Sequence, residues 1–202
     1  MKSFNLSGEV RSELGKKATK AVRVANSVPC VLYGGEEIVH FTATNSNIRK
    51  IIYTPDVYLI DLTIGDKKVK AVMKEIQFHP VTDNVLHIDF LEVFDNKPVV
   101  VEIPVKLTGL AEGVKAGGKL SLEMRKLRVK GLYTNIPEYV EIDVTSLQLG
   151  KSIQVGSMSR DNLEFLNAKN AVIAQVKLTR AARGAAAAAT EGSSEETESS
   201  EG

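Results

Sequence analysis

Tryptophan is absent from this chain of 202 residues, and Phe with Tyr makes up only 5% of it. Val, Ile and Leu must therefore fill any core, and β-branched side chains favour a pleated, half-buried surface, so strands are expected. A single cysteine, Cys30, excludes an internal disulfide. It lies between Pro29 and Val31 in an apolar run and reads as a buried small hydrophobe. No apolar run approaches the ~18 residues of a membrane span. The N-terminus shows no apolar signal core followed by a small-residue cleavage site, so a cytoplasmic location is expected. Histidines number three and no cysteine cluster exists. No metal, cofactor or catalytic centre is expected from such a set.

Charge of one sign is also lacking overall, since the net charge is +1. That excludes a generic polyanion binder, but the average hides a segregation. Residues 181–202 hold one cation, Arg183, against Glu191, Glu195, Glu196, Glu198 and Glu201, a net of −4, which leaves +5 on residues 1–180. A partner meets this distribution rather than the sum. The length suits two ordinary domains. Residues 1–94 read as strands with turn signals between them: Pro29–Tyr33, Ile38–Thr44, then Val57–Ile64 and Lys67–Gln77 around Gly65-Asp66, and Leu86–Phe94. A short helix with Ile48, Ile51 and Ile52 on one side, capped by Asn45 or Ser46, precedes Pro55. About six strands and one helix fit a closed or nearly closed β-barrel. Residues 95–180 read as a second β-rich domain, a sandwich rather than a barrel. Residues 181–202, with Ala185–Ala189 and a Ser/Glu/Thr/Gly tract, hold no large apolar residue and are expected to be disordered.

Four constellations stand out. Arg11, Lys16, Lys17, Lys20 and Arg23 face a single acid, Glu13, in a segment that reads as a loop, mobile alone and ordering on a partner. Lys and Arg neutralise phosphates and release counterions, and the neighbouring Tyr33, read as exposed, offers a face on which bases stack. The alternative is a solvated loop. Next, Gln77 precedes His79-Pro80, and His87-Ile88-Asp89-Phe90 follows. Residues i and i+2 of a strand share a face, so His87 and Asp89 point together, away from Ile88 and Phe90. No nucleophile motif accompanies them, so readout of base edges or 2′-hydroxyls by Gln77, His87 and Asp89 is better motivated than catalysis. Third, Gly113-Val-Lys-Ala-Gly-Gly-Lys119 lacks the spacing of a phosphate-binding loop and reads as a turn between strands. Fourth, Arg125-Lys126-Leu127-Arg128-Val129-Lys130 could meet RNA or an acidic protein, or form the wet face of an amphipathic strand.

These residues carry a resemblance. Glu9-Val-Arg11, Gly15-Lys16, Arg23, Ala25-Asn26, Pro29, Tyr33-Gly34-Gly35, Gln77, His79-Pro80 and His87-Ile88-Asp89-Phe90 stand in the order and spacing of one family. So do Val105–Gly109, Gly113–Gly118, Ile136-Pro137, Ile142–Leu147 and Gly150–Ile153. The chain resembles the long, two-domain bacterial large-subunit ribosomal proteins that bind 5S ribosomal RNA, the general stress protein CTC family, over about residues 3–178. The resemblance implies an N-terminal barrel similar to the anticodon-binding domain of glutaminyl-tRNA synthetase, with a β-rich second domain. It implies a structural role in the ribosome with no catalysis. The implied partners are 5S rRNA, bound at a non-Watson–Crick internal loop from its widened minor-groove side, and other large-subunit components. No membrane or small-molecule substrate is implied. The implied RNA-facing positions are Arg11, Lys16, Lys20, Arg23, Tyr33, Gln77, His87 and Asp89, with Lys17 alongside. A stress-linked RNA-binding regulator acting off the ribosome is the alternative. Two departures bear on the contacts: Gly15-Lys16-Lys17 stands where the family often has Gly-Lys-Gly, and Lys20-Ala21 where it often has paired arginines. Lys lacks the bidentate fork of Arg.

Overall fold

The computed structural model describes residues 1–160 and 162–180, so the expectation of a disordered tail falls outside the described residues. The chain divides into two compact units. One holds residues 1–104, 128–139 and 162–164, and the other holds residues 105–127, 140–160 and 165–180.

In the first unit, alternation of apolar and polar residues produces strands β1 (Lys2–Val10), β2 (Ser27–Tyr33), β3 (Val39–Thr44), β4 (Tyr58–Ile64), β5 (Lys67–Phe78) and β6 (Val85–Glu92). They close into a six-stranded barrel in the order β1-β3-β2-β6-β5-β4. Closure leaves no long strand edge open to pair with another chain. The seam is a parallel pairing of β1 with β4, from Lys2 opposite Tyr58 to Gly8 opposite Ile64. β2 and β6 are likewise parallel, and the other neighbours are antiparallel. Every second residue turns inward. Leu6, Leu32, Phe41, Ile60, Leu62, Ile88 and Phe90 are buried in one core, where the Phe41 and Phe90 rings lie 5.6 Å apart. Gly8 sits against that ring, since a Cβ there would come within 2.5 Å of Phe41 Cδ2.

Two helices accompany the barrel. α1 (Lys16–Val24) lies between β1 and β2, and α2 (Asn45–Ile52) between β3 and β4. α2 sends Ile48 and Ile51 into the barrel core. Its N-cap is Thr44 rather than the expected Asn45 or Ser46, and it has no side-chain cap bond. α1 corrects the expectation of a loop over Arg11–Arg23. Lys, Ala and Arg are good helix formers, and Gly15, at φ 108°, supplies the turn into the helix that other residues rarely adopt. Ala18, Thr19 and Val22, at i, i+1 and i+4, form the half-buried side, and α1 packs on β2.

Beyond β6 follow β7 (Val99–Thr108), α3 (Glu112–Lys115), β8 (Lys119–Leu122), β9 (Lys126–Gly131), β10 (Val140–Asp143), β11 (Ser152–Gln154), β12 (Glu164–Phe165) and β13 (Val172–Lys177). They form one sheet in the order β10-β7-β9-β12 and another in the order β11-β13-β8. Ala111, Val144, Leu147 and Val176 form a buried cluster of the second unit. The glycine-rich stretch is more than a turn, because it carries the single helical turn α3. A Cβ on Gly113 would lie 2.6 Å from the backbone of Gln148 and Leu149, so glycine there serves close packing.

Cys30 is fully buried, and burial pushes its thiol up to about 12, against a smaller downward pull from a backbone hydrogen bond with Ala43. The thiolate is then almost absent at neutral pH. Two outcomes are expected. Cys30 in the native protein resists a thiol-disulfide reagent at pH 8 and reacts fully after unfolding in urea, as absorbance of the released thiol will show. Leu62→Ala, which empties a fully buried barrel position, lowers stability by about 2–5 kcal/mol in urea titration.

Candidate nucleic-acid interface

The basic segment is organised by its own hydrogen bonds. The Arg11 backbone N–H donates to His40 O at 2.9 Å, fixing the end of β1 against β3. Its Nη2 donates to Glu13 O and to Thr19 Oγ1, at 3.1 and 3.3 Å, and Thr19 Oγ1 donates to Gly15 O. Arg11 thus fastens the connecting loop to the first turn of α1. At the other end of the helix, Arg23 Nε and Nη2 both donate to Leu86 O, at 3.1 and 2.9 Å. This fork ties α1 to the start of β6, one residue before His87. A cation in the last helical turn also suits the helix dipole. Lys16, Lys17 and Lys20 are exposed and have no hydrogen bond or ion pair among the described residues. Of the five cations read from sequence, the two arginines are partly engaged in holding the helix, and the three lysines are open to a ligand.

The strands supply a polar face. β6 places His87 and Asp89 outward while Ile88 and Phe90 are fully buried. His87 Nδ1 lies 2.8 Å from Asp89 Oδ1, and each side chain is 29% exposed. Gln77 on β5 stands opposite His87, and Glu75 opposite Asp89. On the other side, Val31 of β2 pairs with Asp89 and with His40 of β3. Directly opposed residues share a face. One outward row therefore runs His40, Val31, Asp89, Glu75 across four strands. Tyr33, two residues beyond Val31 on β2, is half-buried rather than exposed. Its hydroxyl pKa is raised by burial first and then by the carboxylates of Asp89 and Glu75, so it stays a hydrogen-bond donor at neutral pH. The fold thus brings Tyr33, Gln77, His87 and Asp89 to one face, with α1 packed on the same β2.

Sequence reasoning missed Glu75, His40 and Val31. Glu75 had a signal, since it precedes Gln77 by two residues. His40 and Val31 had none without the strand pairing. It also missed the role of His79, whose Nδ1 accepts from the backbone N–H groups of Val81 and Thr82 at 3.3 Å and shapes the turn between β5 and β6. The basic run on β9 is less open than its sequence reads, because Arg128 pairs with Glu102 at 3.1 Å and Lys130 with Glu164 at 3.4 Å. No hydroxyl or thiol among the described residues is hydrogen-bonded to His87, and no group of His, Cys, Asp and Glu there could hold a metal ion. The arrangement is suited to recognition: lysines for phosphates, and Asp89 Oδ2, the Gln77 amide and the Tyr33 hydroxyl for polar groups of bases or ribose.

A model of the Ribosomal L25p family matches residues 6–90, and a model described as Ribosomal protein TL5, C-terminal domain, matches residues 98–180. A protein named large ribosomal subunit protein bL25, from Porphyromonas gingivalis, is 61% identical over 188 residues, covering 92% of this chain and 98% of that protein. Proteins of the same name from Azobacteroides pseudotrichonymphae and Bacteroides fragilis are 59% and 57% identical, covering 91% and 94% of this chain and 97% and 99% of their own lengths.

The Arg23 fork makes a measurable claim about the helix. Arg23→Ala should speed amide exchange across α1 and at the start of β6 by ~3–10-fold, as loss of a charged hydrogen bond at a partly exposed site implies. Arg23→Lys, which keeps the charge but not the fork, should restore little of the protection.

Proposed function

Because the chain belongs to the bL25 family of large-subunit ribosomal proteins, whose role is structural and not enzymatic, we propose that its barrel binds 5S rRNA within the cytoplasmic ribosome. The interface comprises α1 and the outward face of β2, β6 and β5. Its residues are Arg11, Lys16, Lys17, Lys20, Arg23, Tyr33, Gln77, His87 and Asp89. The observation that carries this reading is the convergence of Tyr33, Gln77, His87 and Asp89 on one barrel face. The three open lysines of the helix beside it reinforce the reading.

A-form RNA offers a shallow minor groove lined with 2′-hydroxyls and base edges, while its major groove is too deep to read. A rigid sheet face fits the shallow side. Asp89 accepts from an amino or hydroxyl group where a phosphate would be repelled, and His87 holds the carboxylate in place by occupying Oδ1. Lys16, Lys17 and Lys20 meet the flanking backbone as point charges, since they lack the planar fork of Arg. The exposed N–H groups at the start of α1, where no acidic residue stands, add a favourable dipole for a phosphate. In this reading residues 1–94 form the RNA-binding domain, and residues 95–180 a second domain that engages other large-subunit components.

Filter binding of the full chain to 5S rRNA at two salt concentrations, with transfer RNA as competitor, tests the proposal. Selective binding that weakens with salt is expected. Replacing Lys16, Lys17 and Lys20 together by Ala should reduce the slope of log affinity against log salt by about 2–3, one condensed counterion for each lost phosphate contact. Asp89→Ala should leave that slope unchanged and narrow the preference for 5S rRNA by about tenfold. Equal affinity of the parent chain for transfer RNA and 5S rRNA would sink the reading.

A further inference from the structure

The barrel has a second polar face. The seam of β1 with β4 lies three strands round the ring from the pairing of β2 with β6, so it is diametrically opposite the face described above. There the outward residues of three neighbouring strands form two rows. Asn5 stands opposite Asp61, and Asp61 opposite Lys70; Ser7 stands opposite Thr63, and Thr63 opposite Lys68. These six side chains line a cleft of about 610 Å³ whose residues all belong to the first unit. Leu6 and Leu62, which alternate with them, are buried in the core, and Val69 packs against it. Asn5, Ser7, Asp61, Thr63 and Lys68 make no hydrogen bond or ion pair through their side chains among the described residues. Nor does Asp61 take Lys70 across the strand pair. Lys70 Nζ instead donates to the Tyr133 hydroxyl oxygen at 3.5 Å and lies 5.5 Å from the centre of that ring, and the hydroxyl itself donates to Asp95. Lys70 is thereby held at the cleft with N–H groups to spare.

Five polar side chains that the fold leaves unsatisfied in one concavity describe their ligand. The two lysines on one wall suit phosphate oxygens. Asp61, on the middle strand, repels a second phosphate and accepts from a hydroxyl, as Thr63 and Ser7 also can. No aromatic side chain lines the cleft, so the splayed bases of a single strand find nothing to stack on. Its apolar lining is turned into the core, so the anchoring pocket at the centre of a protein interface is missing. Phosphate and ribose contacts without base stacking are the mode by which double-stranded RNA is held. We propose that this cleft binds the ribose–phosphate edge of a regular A-form RNA duplex. Lys68 and Lys70 meet phosphates, and Asn5, Ser7, Asp61 and Thr63 meet 2′-hydroxyls and other ribose oxygens. Such a contact reads shape and the 2′-hydroxyl and carries no base-sequence preference. The cleft binds a duplex whether or not the opposite face binds 5S rRNA. Only the further consequence rests on the reading proposed above: with both faces occupied, one barrel joins two RNA segments.

The test uses the full chain carrying Lys16→Ala, Lys17→Ala and Lys20→Ala, which removes three charges of α1, and a fully paired RNA duplex of about 16 base pairs with no internal loop. Amide NMR at low salt should show shifts over residues 5–7, 61–63 and 68–70. Adding Lys68→Glu, at an exposed position without a partner, should weaken duplex binding about tenfold. A DNA duplex of the same sequence should bind about 3–10-fold more weakly than the RNA, the cost of one or two lost hydroxyl hydrogen bonds. Thr63→Val should narrow that difference and leave the salt dependence unchanged. Shifts confined to other strands, or affinity indifferent to Lys68→Glu, would overturn the site. Equal binding of RNA and DNA would overturn it as a ribose site. Equal shifts with polyglutamate would overturn it in favour of an acidic protein, and saturation by free adenosine monophosphate in favour of a small nucleotide. The 5S rRNA reading is judged separately, by transfer RNA competition on the parent chain, so either can fail alone.

Discussion

Strand β6 is paired on both sides, antiparallel to β5 and parallel to β2, and the geometry of the polar face depends on those two registers. Because the side-chain period of a strand is two, a slip of one residue would carry His87 and Asp89 into the core and Ile88 and Phe90 into water. The slip is blocked by bulk: Ile88 and Phe90 are fully buried, and Phe90 meets Phe41 in the barrel interior. The polar face on the outside is therefore set by hydrophobic packing on the inside. The β5 strand adjusts to this frame with a register shift between Met73 and Glu75, which brings Glu75 and Gln77 opposite Asp89 and His87, and a second shift follows between Gln77 and Phe78.

The same logic explains what the sequence made legible. Alternation over Ile38–Thr44, Val57–Ile64 and Lys67–Gln77 reports which residues face inward, so the strands and the outward pairing of His87 with Asp89 could be read in advance. The hairpin at Gly65-Asp66 was legible because glycine there adopts φ 57°. Helix α1 was not, because none of its residues is fully buried. Its half-buried side is Ala18, Thr19 and Val22, too few and too small to produce a strong periodic signal, and the density of Lys dominates the reading. In the second unit's sequence, Leu120 and Leu122, then Leu127 and Val129, alternate at the same period, and the structure sets the two pairs in β8 and β9, in different sheets. The row through His40 and Val31 was beyond reach because it depends on which strands become neighbours, a property of long-range pairing.

The electrostatic design separates two tasks that charge alone would confuse. Arginines hold the scaffold: Arg11 against the first turn of α1, Arg23 against the Leu86 carbonyl. Lys16, Lys17 and Lys20 are exposed and make no hydrogen bond or ion pair among the described residues. Guanidinium groups suit the first role because their fixed donors define direction, and ammonium groups suit the second because they impose none. Within the proposed interface, Asp89 and Glu75 place negative charge where a nucleic acid would bring its own. A backbone phosphate is thereby disfavoured at the centre and favoured at the helix.

The parallel seam between β1 and β4 has a consequence for synthesis. β1 has only its short pairing with β3 until residues 58–64 exist, and β2, already paired with β3, gains its second neighbour only with β6, which ends at Glu92. At bacterial elongation rates of about 5–20 residues per second, roughly 4–16 s separate the synthesis of Arg11 from that of Glu92, and the barrel is incomplete throughout. During that interval Arg11, Lys16, Lys17, Lys20 and Arg23 are carried on a chain whose six-stranded barrel is not yet closed. Glu191, Glu195, Glu196, Glu198 and Glu201 are translated well after them. The order of the sequence thus exposes the growing chain to indiscriminate polyanion capture before either its folded face or those glutamates have been made.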